Sequence, residues 1–82
     1  MRDQMFIIIT RSKCNFCDVA KALLREKGFQ FVQYNIESRS SRWILALMKE
    51  AEITTVPQVF SPSGERIGGH IEVARWLRDN KE

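Results

Sequence analysis

The feature that most constrains the fold is a run of apolar residues near the start of the chain. Residues Met5–Thr10 read Met-Phe-Ile-Ile-Ile-Thr, without the alternation of apolar and polar residues that a half-exposed strand shows. An unbroken run of β-branched and aromatic residues is typical of a strand buried on both faces. Such a strand lies inside a sheet that helices cover on both sides. We therefore expect an α/β fold.

A helix and a second strand follow this first strand. After the polar link of residues 11–13, apolar residues recur four positions apart, as one face of a helix requires; they are Val19, Ala20, Leu23 and Leu24. The helix is expected to begin at or just after Cys14 and to end at Gly28, a residue type common just past a helix C-terminus. Residues 29–36 predict a second strand. A strand, a helix and a strand in this order predict a βαβ unit with parallel strands.

The second half of the chain predicts a helix, a hairpin and a last helix. Residues 38–41 offer hydroxyl groups for a helix N-cap, and an apolar helix face follows, formed by Ile44, Leu47, Met48 and Ala51. Residues 56–60 and 66–67 flank turn residues and are expected to pair as a β-hairpin, which the Gly-Gly pair 68–69 ends.

A last helix is expected over residues 71–80. Its inward residues are Val73, Ala74 and Leu77, with Glu72 near its positive end and Arg78 and Lys81 near its negative end. The resulting order, β-α-β-α-β-β-α, predicts a four-stranded mixed sheet flanked by three helices.

Size and charge exclude several classes of function. The 82 residues suit one domain, expected over 1–82, and a chain this short buries little more than about 60% of its unfolded surface. The formal charge is +3, but the basic residues are interspersed with Glu26 and Glu37 rather than arranged in the stripe that nucleic acid requires. No run approaches the roughly 18 apolar residues of a membrane span, and no signal-peptide pattern is present. A cytoplasmic location is therefore expected.

The two cysteines, Cys14 and Cys17, lie between the buried strand and the first helix. At the first turn of a helix, free N–H groups and the helix dipole stabilise an anion, which favours the Cys14 thiolate while Cys17 stays within disulfide reach. Arg11 and Lys13 add positive charge to the same place. A redox-active pair is the interpretation we favour. Two alternatives stay open: a pair of buried structural cysteines, and a zinc site for which His70 is the further Cys or His candidate.

Two further motifs bear on function. Pro57 opens the third strand, where a proline is tolerated at a sheet edge; a cis bond before it would leave the N–H and C=O of Val56 free to pair with an extended peptide. The Gly-Gly pair 68–69 precedes the last helix and predicts either a tight turn alone or a turn whose helix N-terminus also holds a carboxylate. His70 is expected to be a partly exposed turn residue without a catalytic role.

Three motifs together resemble those of glutaredoxins, a family of the thioredoxin superfamily. They are Thr10-Arg11-Ser12-Lys13-Cys14-Asn15-Phe16-Cys17, Thr55-Val56-Pro57-Gln58-Val59-Phe60 and Ile67-Gly68-Gly69-His70, in the family's order and at its intervals over nearly the whole chain. The chain is more similar to the small dithiol type of bacteria and phages than to thioredoxin, because no Trp precedes Cys14 and no Gly-Pro separates the cysteines. The resemblance implies a thioredoxin-like fold and a glutathione-dependent thiol-disulfide oxidoreductase.

The resemblance also implies a role for each matching residue. Cys14 would be the nucleophile that attacks disulfides and becomes glutathionylated, and Cys17 would close the intramolecular disulfide. Arg11, with Lys13 and Gln58, would hold the glycine carboxylate of glutathione, and Phe16 would pack beside the tripeptide. The remaining expected glutathione contacts are Thr55, Val56 and Pro57 at the cysteinyl backbone and Gly69, His70, Ile71 and Glu72 at the γ-glutamyl end. The implied protein would be a monomer without metal, acting on protein disulfides, among them ribonucleotide reductase.

The sequence departs from the family pattern in three places. Asn15 stands where Pro is common and Phe16 where Tyr is common, which bears on the redox potential. Ile71 replaces a small polar residue, which bears on glutathione affinity, and residues 51–54 lack the usual Gly. Because Asn15 replaces Pro, an alternative stays open: an iron-sulfur carrier in which two chains each supply Cys14 and glutathione supplies the other ligands. Reduction by a flavoprotein reductase, without glutathione, is a third hypothesis.

Overall fold

The computed structural model describes residues 5–79 of the chain. Its elements follow the order expected from the sequence, with one additional short 3₁₀ helix at Arg39–Ser41. The four strands are β1 (Met5–Thr10), β2 (Gln30–Asn35), β3 (Gln58–Phe60) and β4 (Arg66–Gly68). The three α-helices are α1 (Asn15–Glu26), α2 (Trp43–Glu50) and α3 (His70–Asp79). The part of the last predicted helix at Asn80, and Lys81 beyond it, lie outside the described residues.

The four strands form one mixed sheet in the order β2-β1-β3-β4. β1 pairs in parallel with β2, so the predicted βαβ unit is confirmed, and it pairs antiparallel with β3 on its other side. β3 and β4 form the predicted hairpin, with a register shift between Val59 and Phe60. The Gly-Gly pair does not exclude Gly68 from the hairpin, since β4 continues through it and α3 begins at His70. The expected four-stranded mixed sheet with three helices, a thioredoxin-like fold, is confirmed.

The core is divided by the sheet into two unequal parts. Because side chains alternate along a strand, Phe6 and Ile8 of β1 point to one face, where they pack with buried residues of α1, α3 and β3; those partners are Ala20, Leu24, Val59, Val73 and Leu77. Ile9 points to the other face and packs with Ile44 and Met48 of α2. Two helices thus cover one face of the sheet, and one short helix covers the other.

The unequal cover corrects several expectations about burial. β1 was expected to be buried on both faces, but Ile7 is 38% exposed because α2 is too short to cover it. On the predicted helix faces, Ile44 and Met48 are buried, whereas Leu47 is 57% exposed and Ala51 is exposed. Val19 and Ala74, also expected to face inward, are exposed as well. Apolar periodicity locates a helix face but does not determine how wide a stripe the neighbouring element covers.

Both ends of α1 lie where the sequence predicts them, whereas the N-terminus of α2 is not capped as predicted. Cys14 is the N-cap of α1, and Gly28, with φ of 79°, follows its C-cap. The N–H groups of Gly28 and Phe29 donate to the carbonyls of Arg25 and Leu24, the pattern of a Schellman C-cap. The expected serine N-cap of α2 is wrong.

The chain enters α2 through the 3₁₀ helix, and that geometry explains the missing serine cap. Arg42 is the N-cap residue of α2, and no side chain caps either helix there. Ser38 instead shares a hydrogen bond with Ser40. None of the helices within residues 5–79 is long and apolar enough to cross a membrane.

Candidate active site

The cysteine pair lies where β1 ends and α1 begins. Cys14 caps the helix: its Sγ accepts a hydrogen bond from the Cys17 N–H at 3.1 Å, and its carbonyl accepts one from the Asp18 N–H. The two cysteines form a disulfide, with their Cα atoms 5.2 Å apart. The bond places both sulfur atoms at the positive end of the α1 dipole.

The two cysteines differ in solvent exposure. Cys17 is 1% exposed and belongs to the interior, whereas Cys14 is only partly buried. An incoming disulfide therefore meets Cys14 first, and the helix N–H groups at this end stabilise its thiolate in the reduced protein. The arrangement suits a reaction in which Cys14 attacks and Cys17, held three residues away, closes the internal disulfide. It does not suit two inert structural cysteines.

Two exposed cations precede the pair. Arg11 and Lys13 both lie in the link between β1 and α1, and Lys13 adopts a positive φ of 55°. Within residues 5–79 neither side chain has an ion pair or a hydrogen bond, so both are available to an anionic ligand. Arg11 lines a groove described below, whereas Lys13 lines neither of the two grooves beside the site.

The loop before β3 presents a free backbone edge in a groove that Phe16, the residue before Cys17, also lines. The Val56–Pro57 peptide bond is cis, which answers the question that the sequence left open. Pro57 is buried, and no hydrogen bond from the described residues reaches the N–H or C=O of Val56. These two groups are therefore available to pair with an extended peptide.

This loop separates two open grooves. The Arg11 groove, of about 420 Å³, is formed by Arg11, Ile36, Leu45, Met48, Lys49 and residues 53–56. The His70 groove, of about 470 Å³, is formed by Phe16, residues 55–58 and residues 66–72. Thr55 and Val56 line both grooves. The loop therefore runs from the Arg11 groove into the His70 groove as the chain proceeds from residue 53 to residue 58.

Gln58, the first residue of β3, holds the cis-proline loop through side-chain hydrogen bonds. Its side chain is 4% exposed, and its Nε2 donates to the carbonyl oxygen and the Oγ1 of Thr55 at 3.0 and 3.3 Å. Its Oε1 accepts from Nη1 of Arg66 at 3.1 Å. The amide is thus bound at both ends within the protein. The family resemblance implies that Gln58 helps to hold the glycine carboxylate of glutathione; in this structure its side chain contacts Thr55 and Arg66.

The far wall of the His70 groove is the N-terminus of α3. The Glu72 carboxylate accepts a hydrogen bond from the Gly69 N–H at 2.9 Å, one half of a capping box. The ring of Phe16, 57% exposed, stacks on the imidazole of His70 with centroids 4.2 Å apart and planes 4° from parallel. This stack joins the first turn of α1 to the first turn of α3 across the groove. Ile71, beside it, is exposed.

The structure thus brings most of the predicted site residues to one surface around the cis-proline loop, divided between two grooves. Two contributors were missed from the sequence: Arg66, which holds Gln58, and Lys49, which lines the Arg11 groove. In the structure Arg66 pairs with Phe60 across the hairpin, which brings it near β3. A hairpin register predicted from the sequence would not include the shift between Val59 and Phe60, so this position of Arg66 was not predicted. For Lys49 no local signal exists. Among the described residues, no group of three or more His, Cys, Asp or Glu side chains is placed to hold a metal ion.

Comparison with known proteins adds to this geometry. The sequence profile of the Glutaredoxin family matches residues 6–67. Glutaredoxin 3 of Escherichia coli K12 is 37% identical over 62 residues, which cover 76% of this chain and 72% of the relative. The glutaredoxin of enterobacteria phage T4 is 32% identical over 75 residues, covering 80% of this chain and 86% of the relative.

A solved structure is similar in fold as well as in sequence. The buckwheat glutaredoxin-glutathione complex superimposes with a TM-score of 0.76 at 26% identity, covering 90% of this chain and 68% of that one. The residues that match the family profile, 6–67, include the cysteine pair and the loop around Pro57. The cysteine pair and the loop therefore lie within the matched region, whereas residues 68–72 of the His70 groove lie beyond it.

Proposed function

Because the chain belongs to the glutaredoxin family and is a thiol-disulfide oxidoreductase, we propose that it reduces protein disulfides and glutathione mixed disulfides with glutathione as its reductant. The observation that carries the proposal is that Cys14 is only partly buried, while Phe16, between the two cysteines, lines the same groove as the free backbone edge of Val56. That edge pairs with the backbone around a substrate cysteine, and the helix N-terminus stabilises the attacking thiolate.

The dithiol reduces a substrate in two exchange steps. The Cys14 thiolate attacks one sulfur of the substrate disulfide; the substrate S–S bond breaks, and the departing thiolate takes up a proton. The Cys17 thiolate then attacks Sγ of Cys14, which releases the second substrate thiol and forms the Cys14–Cys17 disulfide. Two electrons pass from the protein to the substrate.

Two molecules of glutathione restore the dithiol. The first attacks Cys14, so that Cys17 leaves as a thiol and Cys14 becomes glutathionylated. The second attacks the glutathione sulfur of this mixed disulfide, which yields glutathione disulfide and the free Cys14 thiolate. The accessible position of Cys14 and the buried position of Cys17 support this division of roles.

The direction of the loop supports one orientation for the tripeptide. Residues 53–54 face the Arg11 groove and residues 57–58 face the His70 groove. A peptide paired antiparallel to Val56 runs the opposite way, with its N-terminal end in the His70 groove and its C-terminal end in the Arg11 groove. In glutathione these ends are the γ-glutamyl group and the glycine. Arg11 is then the cation for the glycine carboxylate, and Gly69, His70, Ile71 and Glu72 surround the γ-glutamyl end.

The remaining parts of the proposal concern where and on what the protein acts. A cytoplasmic setting, where thiols are kept reduced, suits a dithiol that must be re-reduced after each turnover. A monomer suffices, because both cysteines and both grooves come from one chain. Ribonucleotide reductase is a proposed protein substrate that rests on the family resemblance alone.

Glutathione-coupled reduction of 2-hydroxyethyl disulfide, with the wild type, Cys14→Ser and Cys17→Ser, tests the proposal. Cys14→Ser is expected to be inactive because no nucleophile remains, whereas Cys17→Ser is expected to keep activity on glutathione mixed disulfides, which need Cys14 alone. An active Cys14→Ser protein would disprove the mechanism. Efficient turnover of the wild type with a flavoprotein reductase, and none with glutathione, would disprove glutathione dependence.

A further inference from the structure

The Arg11 groove extends beyond the position that glutathione needs. Its walls carry apolar side chains, among them Ile36, Leu45 and Ile53, and two cations, Arg11 and Lys49. No acidic side chain of the described residues lines it. Within residues 5–79, Lys49 has no ion pair or side-chain hydrogen bond. The groove is therefore an apolar channel with an uncompensated positive charge at two points.

Glutathione uses little of this channel, because its chain ends one residue after the cysteine. A polypeptide substrate does not end there. If it pairs antiparallel with Val56, the residues that follow its reactive cysteine continue along the Arg11 groove, advancing about 3.3 Å per residue in extended conformation. They meet the cations and the apolar wall together. Charge complementarity then favours carboxylates at these positions, and the wall favours an apolar residue among them.

We propose that the Arg11 groove binds the segment that follows the reactive cysteine of a protein disulfide, that it favours acidic residues with an apolar neighbour, and that Lys49 is a specificity-determining residue. Lys49 lies in the last turn of α2 and Arg11 in the link between β1 and α1, so two separate elements supply the two cations that line the groove. The proposal rests on the proposed function for the orientation of the substrate, not for its reductant.

A single turnover without glutathione tests the groove by itself. The pre-reduced protein is mixed with hexapeptides joined through their cysteine to 2-mercaptoethanol, and the products are quenched with acid and measured by mass spectrometry. The Cys14–Cys17 dithiol supplies both electrons, so each reaction yields the free peptide thiol, 2-mercaptoethanol and the protein disulfide. The peptides are Ala-Ala-Cys-Asp-Asp-Leu, its Asn-Asn counterpart, and the reversed peptide Leu-Asp-Asp-Cys-Ala-Ala.

The measured quantity is the ratio of second-order rate constants for the Asp-Asp and Asn-Asn peptides. Exposed ion pairs are worth roughly 0.2–1 kcal/mol, so each cation is expected to contribute up to about fivefold to this ratio in the wild type. Lys49→Gln is expected to lower the ratio by about 1.4- to fivefold, and Lys49→Glu to lower it further. A ratio compares two substrates of one protein, so partial unfolding of a variant does not change it.

The matched control is Lys27→Gln, which removes an exposed cation at the C-cap of α1, away from both grooves. This variant is expected to keep the wild-type ratio. Equal rates for the two peptides with the wild type, an unchanged ratio in Lys49→Gln, or a preference for the reversed peptide would each overturn the proposal. A wild type that shows the preference but no glutathione-coupled turnover would support the groove and disprove only the reductant.

Discussion

Gln58 shows how one buried amide holds the substrate-pairing loop. Its side chain has partners on both sides, the carbonyl and hydroxyl of Thr55 and the guanidinium of Arg66. Because the amide is almost fully buried, its removal leaves the Thr55 and Arg66 groups on either side without their protein partner. These bonds thereby hold the backbone of Val56, one residue beyond Thr55, against the start of β3. Gln58 is thus a positioning residue for the loop.

Replacement of this amide by a side chain of similar shape is expected to be costly. Gln58→Met removes three hydrogen bonds and leaves the Thr55 carbonyl without its partner, so the free energy of unfolding should fall by about 1–3 kcal/mol. Urea denaturation followed by circular dichroism measures the loss. Gln30→Met, at an exposed position in β2, is the control and should change stability little. Equal losses in the two variants would show that the amide does not hold the loop.

At the residue scale, the sequence predicts which side chains are reactive more reliably than it predicts which side chains contact each other. The spacing of Cys14 and Cys17 predicts a redox pair, because both a helix N-terminus and disulfide reach follow from local geometry. The stacking of Phe16 on His70 and the pairing of Gln58 with Arg66 follow instead from how α1, α3 and the hairpin meet. No local pattern encodes those meetings. The cis bond of Pro57 is likewise visible in the structure alone.

At the element scale, the junction between β4 and α3 depends on Gly68. Its φ is 123°, and a Cβ added there would lie 3.0 Å from Cβ and Cγ of Glu72. Glu72 has little freedom to withdraw, because its Cβ belongs to the first turn of α3 and its carboxylate holds the Gly69 N–H. A side chain at Gly68 would therefore strain the backbone and disturb the helix cap together.

Gly68→Ala is expected to lower the free energy of unfolding by about 1–3 kcal/mol through backbone strain, and by up to about 1 kcal/mol more through the lost cap. Gly64→Ala is the matched control: its φ is 95°, but nothing lies within 4 Å of an added Cβ. It should show the strain alone. Thermal or urea unfolding of both variants measures the difference. A Gly64→Ala loss as large as that of Gly68→Ala would contradict the role of the Glu72 contact.

The positions of the helices and strands can be predicted here because their sequence signals are local. The burial of their side chains is harder to predict, because it depends on the neighbouring elements. Schellman-type capping at Gly28 and the N-cap at Cys14 follow from residue type and position. The exposure of Leu47 and the entry into α2 through a 3₁₀ helix do not, because both depend on how short α2 is relative to the sheet beneath it. A helix face read from sequence is an upper limit on what becomes buried.

At the scale of the whole molecule, the two faces of the sheet are covered unequally. α1 and α3 pack on one face around fully buried residues such as Ile8, Leu24 and Val73. On the other face α2 contributes two buried side chains, Ile44 and Met48, and leaves Trp43 and Leu47 largely exposed. The stronger core supports the cysteines through α1. The weaker one supports the wall of the Arg11 groove that carries Lys49, which can therefore adjust to different peptide segments.

This difference predicts separate opening free energies in native-state hydrogen exchange. Elements with few buried apolar contacts open locally, below the free energy of global unfolding. Amides in the interior of α2, such as those of Leu47 and Met48, should therefore exchange through a smaller opening than those of Leu23 and Leu24 in α1. Leu24→Ala, which removes a fully buried side chain, should cost about 2–5 kcal/mol and lower protection in every element. Ile44→Val should lower it chiefly in α2. Identical opening free energies in α1 and α2, both equal to the value from urea denaturation, would show that the two layers unfold as one unit and that the groove wall is as rigid as the active-site helix.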